Sequence, residues 1–362
     1  MNKQKNLKKS SFNFTSQLLS WHKKDNKRLM PWKGEKDPYK IWLSEIILQQ
    51  TRVDQGINYY NKFIKHYPNI TKLATTKDEE VFKLWEGLGY YSRCKNLLFT
   101  AREIVNNNKG IFPKDYAAIL KLKGIGKYTA AAIASFAYNQ PYAVVDGNVF
   151  RVLSRIYGID LPIDSNEGKK HFEILAQNLL DKKQPALYNQ AIMDFGATIC
   201  KPKLPECNIC VFQKECIAFK ENKISVLPIK EKKLTTQIRW FYYYIFTYKN
   251  QVLIKKRIEK DIWENLHEFY LVESMVDEKL NTKSVKTKLD KILGKEKFQI
   301  ISISKEQQQK LTHRVIKGNF IKIELKKKIE IENYFWIDKN DISQYSYPKF
   351  INSFIEAPIP NS

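Results

Sequence analysis

The stretch from Tyr116 to Gly158 constrains the fold most, because it predicts two short helices joined by a glycine-rich turn. Apolar residues at helical spacing precede the turn, and small alanines that permit close helix approach follow it. Gly124 and Gly126 suit backbone angles that other residues avoid. We therefore expect the amides from Gly124 to Thr129 to point outward at the start of the second helix, where they would form a phosphate site.

A hairpin of this kind grips a DNA backbone without reading its sequence, although an ordinary helical hairpin can carry the same glycines. An acid further along the chain favours the DNA-binding interpretation. Val144 and Val145 lead to Asp146, which stands where a helix N-cap would, before a helix with an apolar face. An Asp at an N-cap is usually structural. Because the hairpin and the acid fall in one compact unit, we expect Asp146 to be a catalytic carboxylate as well.

These residues resemble the helix-hairpin-helix family of base-excision DNA glycosylases, and within it the branch that acts on adenine mismatches. The segment from Leu122 to Ala130 is similar to the family's hairpin, and the segment from Val145 to Val149 is similar to its catalytic loop. The chain departs from the family at Lys123, where proline is commoner. We expect this departure to alter the path into the turn and to leave the amide donors in place.

Glu45 stands among apolar residues in the segment from Pro38 to Thr51. A carboxyl in apolar surroundings has a raised pKa, which a general acid near neutral pH needs. The spacing alone favours a solvated glutamate on the polar side of a helix. The resemblance favours the acid, because the segment from Trp42 to Glu45 and the following Gln49-Gln50-Thr51 are similar to the active-site segment of the adenine branch. In that branch the glutamate protonates the adenine ring.

The resemblance implies roles for further residues. The catalytic set would be Glu45 and Asp146, supported by Tyr128 and Asn148. Met30, Trp32 and Lys33 would line the adenine pocket, and some relatives have Arg at the last position. Gln49, Gln50 and Thr51 would lie against the opened base stack, and Gly124, Gly126 and Thr129 would hold the DNA backbone. Tyr90, in the turn Gly87-Leu88-Gly89-Tyr90, would enter the duplex beside the mispair; simple packing of the ring is the alternative.

Four cysteines, Cys200, Cys207, Cys210 and Cys216, are separated by six, two and five residues. We expect the chain to be intracellular, where disulfides are rare, so the thiols indicate either structural zinc or an iron–sulfur cluster. Zinc ribbons usually carry two pairs of cysteines spaced two residues apart, and this stretch has one. The spacing resembles the 4Fe-4S loop of the glycosylase family, and the resemblance implies a 4Fe-4S cluster.

Beyond residue 234 the helical period gives way to alternating and aromatic-rich segments that predict strands. The predicted strands are Ile238 to Tyr248, Val252 to Arg257, Phe320 to Leu325 and Phe335 to Ile337, with a helix at Ser284 to Leu293. This order resembles the family's Nudix-like C-terminal domain, but the chain has no Nudix box, so we expect no pyrophosphatase activity. The segment Leu311-Thr312-His313 falls where the family has the Phe-Ser-His reader of 8-oxoguanine. Thr312 and His313 would therefore read the opposite base.

Composition agrees with a DNA partner. The formal net charge is +24 over 362 residues, which favours a polyanion and allows two domains. Lys, Asn and Ile are all abundant, so part of the charge has a compositional explanation. The Lys-rich residues 1–11 lack the apolar core of a signal peptide, and no apolar run approaches the ~20 residues that span a bilayer. We expect a monomer in the cytoplasm of a bacterial type of cell, associated with the nucleoid through DNA.

The sequence therefore predicts a mainly α glycosylase domain over residues 1–220, a linker over 221–234 and an α+β Nudix-like domain over 235–362. The predicted function is a monofunctional adenine DNA glycosylase that acts on adenine opposite 8-oxoguanine or guanine in duplex DNA. One alternative is an endonuclease III-like glycosylase and lyase, which needs a nucleophilic Lys where this chain has Tyr128. The other alternative is a non-catalytic DNA-binding or redox-sensing iron–sulfur protein.

Overall fold

The computed structural model describes residues 13–231 and 236–356. Contacts divide them into two compact units. The first contains the described residues up to 75 and from 96 to 231, and the second contains residues 76–95 and 236–356. The grouping of residues 76–95 with the C-terminal part of the chain differs from the boundary that the sequence predicts. Residues 232–234 of the predicted linker lie outside the described ranges.

The first unit is helical, as predicted. Its helices are α1 (Phe14–Lys24), α2 (Pro38–Leu48), α3 (Val53–His66), α4 (Ile70–Thr75), α7 (Tyr116–Lys121), α8 (Lys127–Tyr138), α9 (Gly147–Tyr157), α10 (Asn166–Leu179), α11 (Pro185–Thr198) and α12 (Ile217–Lys220). Helix α1 begins at Phe14, and residues 11 and 12 are not described. Helix α5 (Asp78–Trp85) belongs to the second unit, and α6 (Tyr91–Asn108) contributes residues to both.

Helix α9 positions much of the site because its apolar face is buried as predicted. Val149, Val152 and Ile156 are at most 3% exposed and lie in one core with residues of α10 and α11. Phe195 of α11 contacts Phe212, with 5.2 Å between the ring centroids. This core fixes the N-terminus of α9 and the loop that follows α11 relative to each other.

The glycine turn between α7 and α8 is formed as expected, with one correction. Gly124 has a φ of +80°, and a Cβ there would lie 2.8 Å from Cβ of Asn96, so glycine is required. Gly126 has a φ of −94° in extended backbone, which any residue can adopt, so the expectation of a special angle was wrong there. The amide of Ile125 donates to the carbonyl of Leu122, so this amide is not free for phosphate, whereas the first amides of α8 have no partner within the helix.

The second unit is α+β, and this prediction is confirmed. Its mixed sheet contains β1 (Gln237–Tyr248), β2 (Gln251–Lys256), β3 (His267–Glu268), β4 (Tyr270–Ser274), β5 (Phe298–Ile303), β6 (Gln307–Lys310), β7 (Arg314–Leu325) and β8 (Tyr334–Asp338). Strands β1 and β7 pair in parallel, and β1 and β2, at two of the predicted strands, form an antiparallel hairpin. Helix α13 (Thr282–Leu293) buries Val285 and Leu289 against one face, and α14 (Lys349–Ile355) follows β8.

Helix α5 is held within the second unit by polar contacts to its C-terminal segment. Glu86 accepts hydrogen bonds from the amide of Tyr347 at 2.8 Å and from Nδ2 of Asn352 at 2.9 Å. Lys83 Nζ donates to the carbonyl of Tyr345 at 3.1 Å. None of the helices in the described ranges is both long enough and apolar enough to cross a membrane.

Candidate active site

A cavity of about 600 Å³ opens in the first unit between α2, α8, α9, α11 and the loop after α1. Its size suits a small organic group such as a nucleobase. The predicted residues that line it are Met30, Trp32, Lys33, Glu45, Thr51, Tyr128, Asp146 and Asn148. Residues that are distant in sequence thus converge on one space, with two carboxyls among them.

Glu45 is 7% exposed on α2, between the buried Ser44 and Ile46. Burial raises the pKa of its carboxyl to about 7; a hydrogen bond from Tyr128 opposes the rise, and the nearby charge of Asp146 adds to it. The solvated position that spacing alone favoured is therefore wrong. A carboxyl with this pKa holds its proton near neutrality and can still release it, as a general acid requires.

Asp146 caps α9 and also faces the cavity. Its Oδ1 accepts hydrogen bonds from the amides of Asn148 at 2.9 Å and Val149 at 2.8 Å, and its Oδ2 accepts one from Asn148 Nδ2 at 2.8 Å. Burial raises the pKa of Asp146, and these three hydrogen bonds oppose the rise. The cap therefore fixes the carboxylate in place and stabilises its ionised form.

Arg151 connects this carboxylate loop to the cysteine segment. Its guanidinium donates to Oδ1 of Asn148 at 2.7 Å, to the carbonyl of Gly196 at 2.6 Å and to the carbonyl of Cys200 at 2.7 Å. Gly196 permits the close approach of α11, because a Cβ there would lie 2.6 Å from Cβ of Asn148. Sequence reasoning missed both residues, since each acts through a contact between distant segments.

Tyr128 occupies the position where a lyase of the rival class would need an amine. Burial raises the pKa of its hydroxyl. This hydroxyl forms a hydrogen bond with the carboxyl of Glu45 and lies 3.6 Å from Sδ of Met193. Lys127, one residue earlier, instead pairs with Glu173 at 2.9 Å on the surface. The cavity thus receives a neutral hydroxyl from the start of α8, and this hydroxyl orients Glu45.

Asp194 is a second buried carboxylate that the sequence analysis did not identify. It is fully buried and accepts hydrogen bonds from Asn26 at 2.7 Å, Arg28 at 2.9 Å, Lys33 at 3.2 Å and Gln190 at 3.0 Å. These contacts tie the loop that carries Met30 and Trp32 to α11. A charged residue within the apolar run of α11 was the available signal, because a buried charge must be paired.

The residues that follow α2 lie in a tight turn. Gln50 has a φ of +58°, and Gln49 Nε2 donates to Oγ1 of Thr129 at 3.5 Å. Thr129 is 2% exposed, so its side chain contacts Gln49 inside the protein. Its backbone amide is one of the first amides of α8. Thr51 lines the cavity.

The four predicted ligand cysteines lie around one small cavity walled by Ile156 and Phe195. Within the described ranges, no group of three or more Cys, His, Asp or Glu side chains is arranged to hold a single metal ion. Thiols around a shared space suit a polyatomic cluster, in which each thiolate binds a different iron. Burial raises the pKa of Cys210 to about 12, so its thiolate needs the positive charge that a cluster supplies. The four cysteines therefore fit an iron–sulfur cluster.

The second unit has its own cavity, of about 590 Å³, and it contains Tyr90, Thr312 and His313. Tyr90 is 41% exposed, and its hydroxyl shares a hydrogen bond with that of Thr312. Asp261 at the rim pairs with Arg239 and with Arg314, each at 2.7 Å. The sequence did not predict that the turn with Tyr90 and the segment with Thr312 would meet.

Comparison with known proteins relates the two parts of the chain to known families. Residues 43–181 match the family model described as HhH-GPD superfamily base excision DNA repair protein, and residues 241–357 match the NUDIX domain. The chain is 40% identical over 255 residues to the adenine DNA glycosylase of Buchnera aphidicola subsp. Acyrthosiphon pisum, covering 70% of this chain and 72% of that protein.

Two further similarities extend the comparison. The chain is 40% identical over 240 residues to the adenine DNA glycosylase of Mus musculus, covering 62% of this chain and 46% of that protein. Among solved structures it is similar to a thermostable thymine-DNA glycosylase, with a TM-score of 0.54 and 32% identity over 57% of this chain and 95% of the other.

Proposed function

We propose a substrate and a chemical route from one premise: the chain belongs to the adenine DNA glycosylase family and is a DNA N-glycosylase of base excision repair. The proposed substrate is adenine paired with 8-oxoguanine or guanine in duplex DNA. The observation that carries the proposal is the pair of carboxyls, the buried Glu45 and the half-buried Asp146, on one cavity of nucleobase size. The protein would act as a monomer in the cytoplasm, where bacterial DNA lies.

Glu45 would protonate the extruded adenine at N7. Protonation makes the base a neutral leaving group, so the bond between base and sugar breaks with less charge separation. The raised pKa of Glu45 keeps the proton available at neutral pH. Trp32 and Met30 supply apolar walls for the ring, and Asp194 fixes their loop through Lys33.

Asp146 would stabilise the positive charge that develops on the sugar, or bond to it transiently. This division of labour between two carboxyls is the logic of glycoside cleavage. The ionised form of Asp146 is stabilised by hydrogen bonds from the amides of Asn148 and Val149. Water would then complete the hydrolysis, with Glu45 acting as the base.

The route ends in hydrolysis without strand cleavage. A lyase needs an amine that forms a Schiff base with the sugar, and the position at the start of α8 holds the hydroxyl of Tyr128. Lys127 is paired with Glu173 on the surface. We therefore expect an abasic product that breaks only in alkali.

The outward amides that begin α8 would bind the DNA backbone, together with Gly124 and Gly126 in the turn. Gln49, Gln50 and Thr51 would lie against the opened base stack. In the second unit, Thr312 and His313 would read the opposite base, and Tyr90 would enter the duplex beside it. The shared cavity of Tyr90 and Thr312 supports these two roles together.

A 4Fe-4S cluster would be held by Cys200, Cys207, Cys210 and Cys216. When bound, it would supply four strong iron–thiolate bonds that hold the loop, which carries Lys201, Lys203 and Lys214. Cys200→Ser is expected to lose the visible absorbance of the cluster and much of the affinity for DNA. Cys94→Ser, at a buried cysteine outside the loop, is the matched control and should keep the wild-type spectrum. An unchanged spectrum in Cys200→Ser would contradict the ligand assignment.

The test of the substrate is single-turnover base release from duplexes that carry A:8-oxoG, A:G, A:C, T:G or thymine glycol, scored with and without alkali. We expect adenine release opposite 8-oxoguanine and guanine, with strand breaks that appear only after alkali. Strand cleavage at thymine glycol without alkali would place the chain with the lyases. Tight binding with no base release from any duplex would make it a non-catalytic DNA-binding protein.

The likeness to a thymine-DNA glycosylase supports a second candidate, release of thymine from T:G pairs. The same panel separates the two. Faster base release from T:G than from A:G would favour the second candidate. Glu45 would then have no adenine to protonate.

A further inference from the structure

The turn before α6 has an unusual backbone. Gly87, Gly89 and Tyr90 have φ angles of 90°, 74° and 49°. Glycine adopts such angles readily, but for Tyr90 the left-handed conformation is unfavourable because of its Cβ. A non-glycine residue keeps this conformation only where its surroundings hold it. The exposed ring of Tyr90 is therefore carried by a backbone that needs external support.

Arg93 makes the contacts that supply this support. Its amide donates to the carbonyl of Tyr90 at 2.9 Å, and its Nη2 donates to the carbonyl of Gly89 at 3.2 Å. Its guanidinium carbon lies 5.2 Å from the ring centroid of Trp85 and 5.6 Å from that of Tyr90. The Trp85 indole N–H also donates to the Gly89 carbonyl, at 3.1 Å. The guanidinium thus contacts the ring of Tyr90 and a carbonyl of the turn at the same time.

We propose that Arg93 is a positioning residue that sets Tyr90 in place before DNA binds. The inference rests on the proposed function, in which Tyr90 enters the duplex. Extruding a base breaks its stacking on its neighbours, and a wedge that is already ordered adds no further ordering cost. Arg93 is 8% exposed, so its charge is largely kept from phosphate and acts on the turn. The planar guanidinium can lie against the rings while its fork of N–H groups reaches the carbonyl, and the compact ammonium of a lysine, on a different stem with three donors, does not reproduce this geometry.

The test compares Arg93→Lys, Tyr90→Leu and the double variant on two duplexes. One contains a fully paired A:8-oxoG site with 2-aminopurine beside the mispair. The other places the adenine in a bubble of unpaired bases, where no wedge is needed. Arg102→Lys is the matched control, because Arg102 lies on the same helix and its Nε donates to the carbonyl of Ala74 at 3.1 Å, outside the turn.

On the paired duplex we expect Arg93→Lys to lose about tenfold or more in adenine release, together with the rise in 2-aminopurine fluorescence that reports unstacking. The double variant should be no slower than Tyr90→Leu, because Arg93 acts through Tyr90 and the two losses do not add. On the bubble, Arg93→Lys should approach the wild-type rate, which also shows that the variant is folded. Arg102→Lys should match wild type on both duplexes.

Three results would overturn the inference. The first is an Arg93→Lys rate equal to that of wild type on the paired duplex. The second is an Arg93→Lys rate that is as slow on the bubble as on the paired duplex. The third is a double variant that is slower than Tyr90→Leu by the full factor of Arg93→Lys, as expected for an independent phosphate contact. Wild type that releases no adenine from either duplex would instead overturn the proposed function, and the inference with it. Adenine release by wild type with no change in Arg93→Lys would overturn the inference alone.

Discussion

At the scale of single residues, Glu45 shows that the catalytic requirement opposes stability. Its side chain is buried among apolar neighbours, and its proton is held to about pH 7 where an exposed Glu would lose it near 4.5. A group whose folded pKa is raised destabilises the folded state once pH exceeds its unfolded pKa. The cost therefore grows from about pH 4.5 to pH 7 and is constant above that.

Glu45→Gln removes this charge and is expected to raise the free energy of unfolding by about 3 kcal/mol at pH 8, while adenine release is nearly lost. Urea unfolding at pH 8 and at pH 5 measures the effect, which should shrink at the lower pH. The control is Glu167→Gln, at an exposed position at the start of α10, which should gain no stability. Equal or lower stability of Glu45→Gln at pH 8 would show that the carboxyl is solvated or paired.

At the scale of elements, the sequence predicted the structures that depend on local signals. The glycine turn, the Asp146 cap and the apolar face of α9 are each encoded within a few residues. The charge within the apolar run of α11 marks Asp194, but the partners of Asp194 and the contact between Arg151 and Cys200 were not predictable, because each joins segments that meet only after folding. The burial of Glu45 also depended on packing by other helices, so the spacing within α2 gave the wrong answer.

Gly196 offers a test of how α11 positions the catalytic loop. Gly196→Ala should destabilise the fold by about 1–3 kcal/mol, because its Cβ would crowd Asn148. A displacement of Asn148 should also move Asp146 and slow adenine release by about tenfold or more. Urea unfolding and single-turnover rates measure the two effects.

Gly147→Ala is the control for Gly196→Ala, because a Cβ at Gly147 meets no atom within 4 Å. This variant should keep or slightly raise the stability, since alanine favours a helix more than glycine does. A Gly196→Ala protein with wild-type stability and rate would show that α11 can shift without disturbing the site.

At the scale of the whole molecule, the two compact units are not two consecutive stretches of the chain. Residues 76–95 carry α5 and the turn with Tyr90, and they group with residues 236–356. Sequence patterns gave no sign of this, because α5 reads as one more helix in a helical series. The sheet was better predicted at its hairpin, β1–β2, than at the parallel pair β1–β7, which joins strands far apart in the chain.

Truncation of the chain after residue 233 should therefore destabilise α5, even though the truncated chain still contains α5. Loss of the contacts from Glu86 to Tyr347 and Asn352 should increase amide hydrogen exchange in α5 and in the turn before α6. Amides of α9 and α11 serve as the internal control and should stay protected. Equal protection of α5 in the truncated and the full chain would show that α5 is stable without residues 236–356.

The most direct test of the central claim is the pH dependence of adenine release from an A:8-oxoG duplex at enzyme concentrations below the Kd, where the rate reports groups of the free enzyme. Glu45 acts as the acid only when protonated, so the rate should fall by about tenfold per pH unit above pH 7. It should fall again in acid, where Asp146 becomes protonated, and Glu45→Gln should be slow at every pH. A wild-type rate that stays flat or rises between pH 7 and 9 would contradict the account.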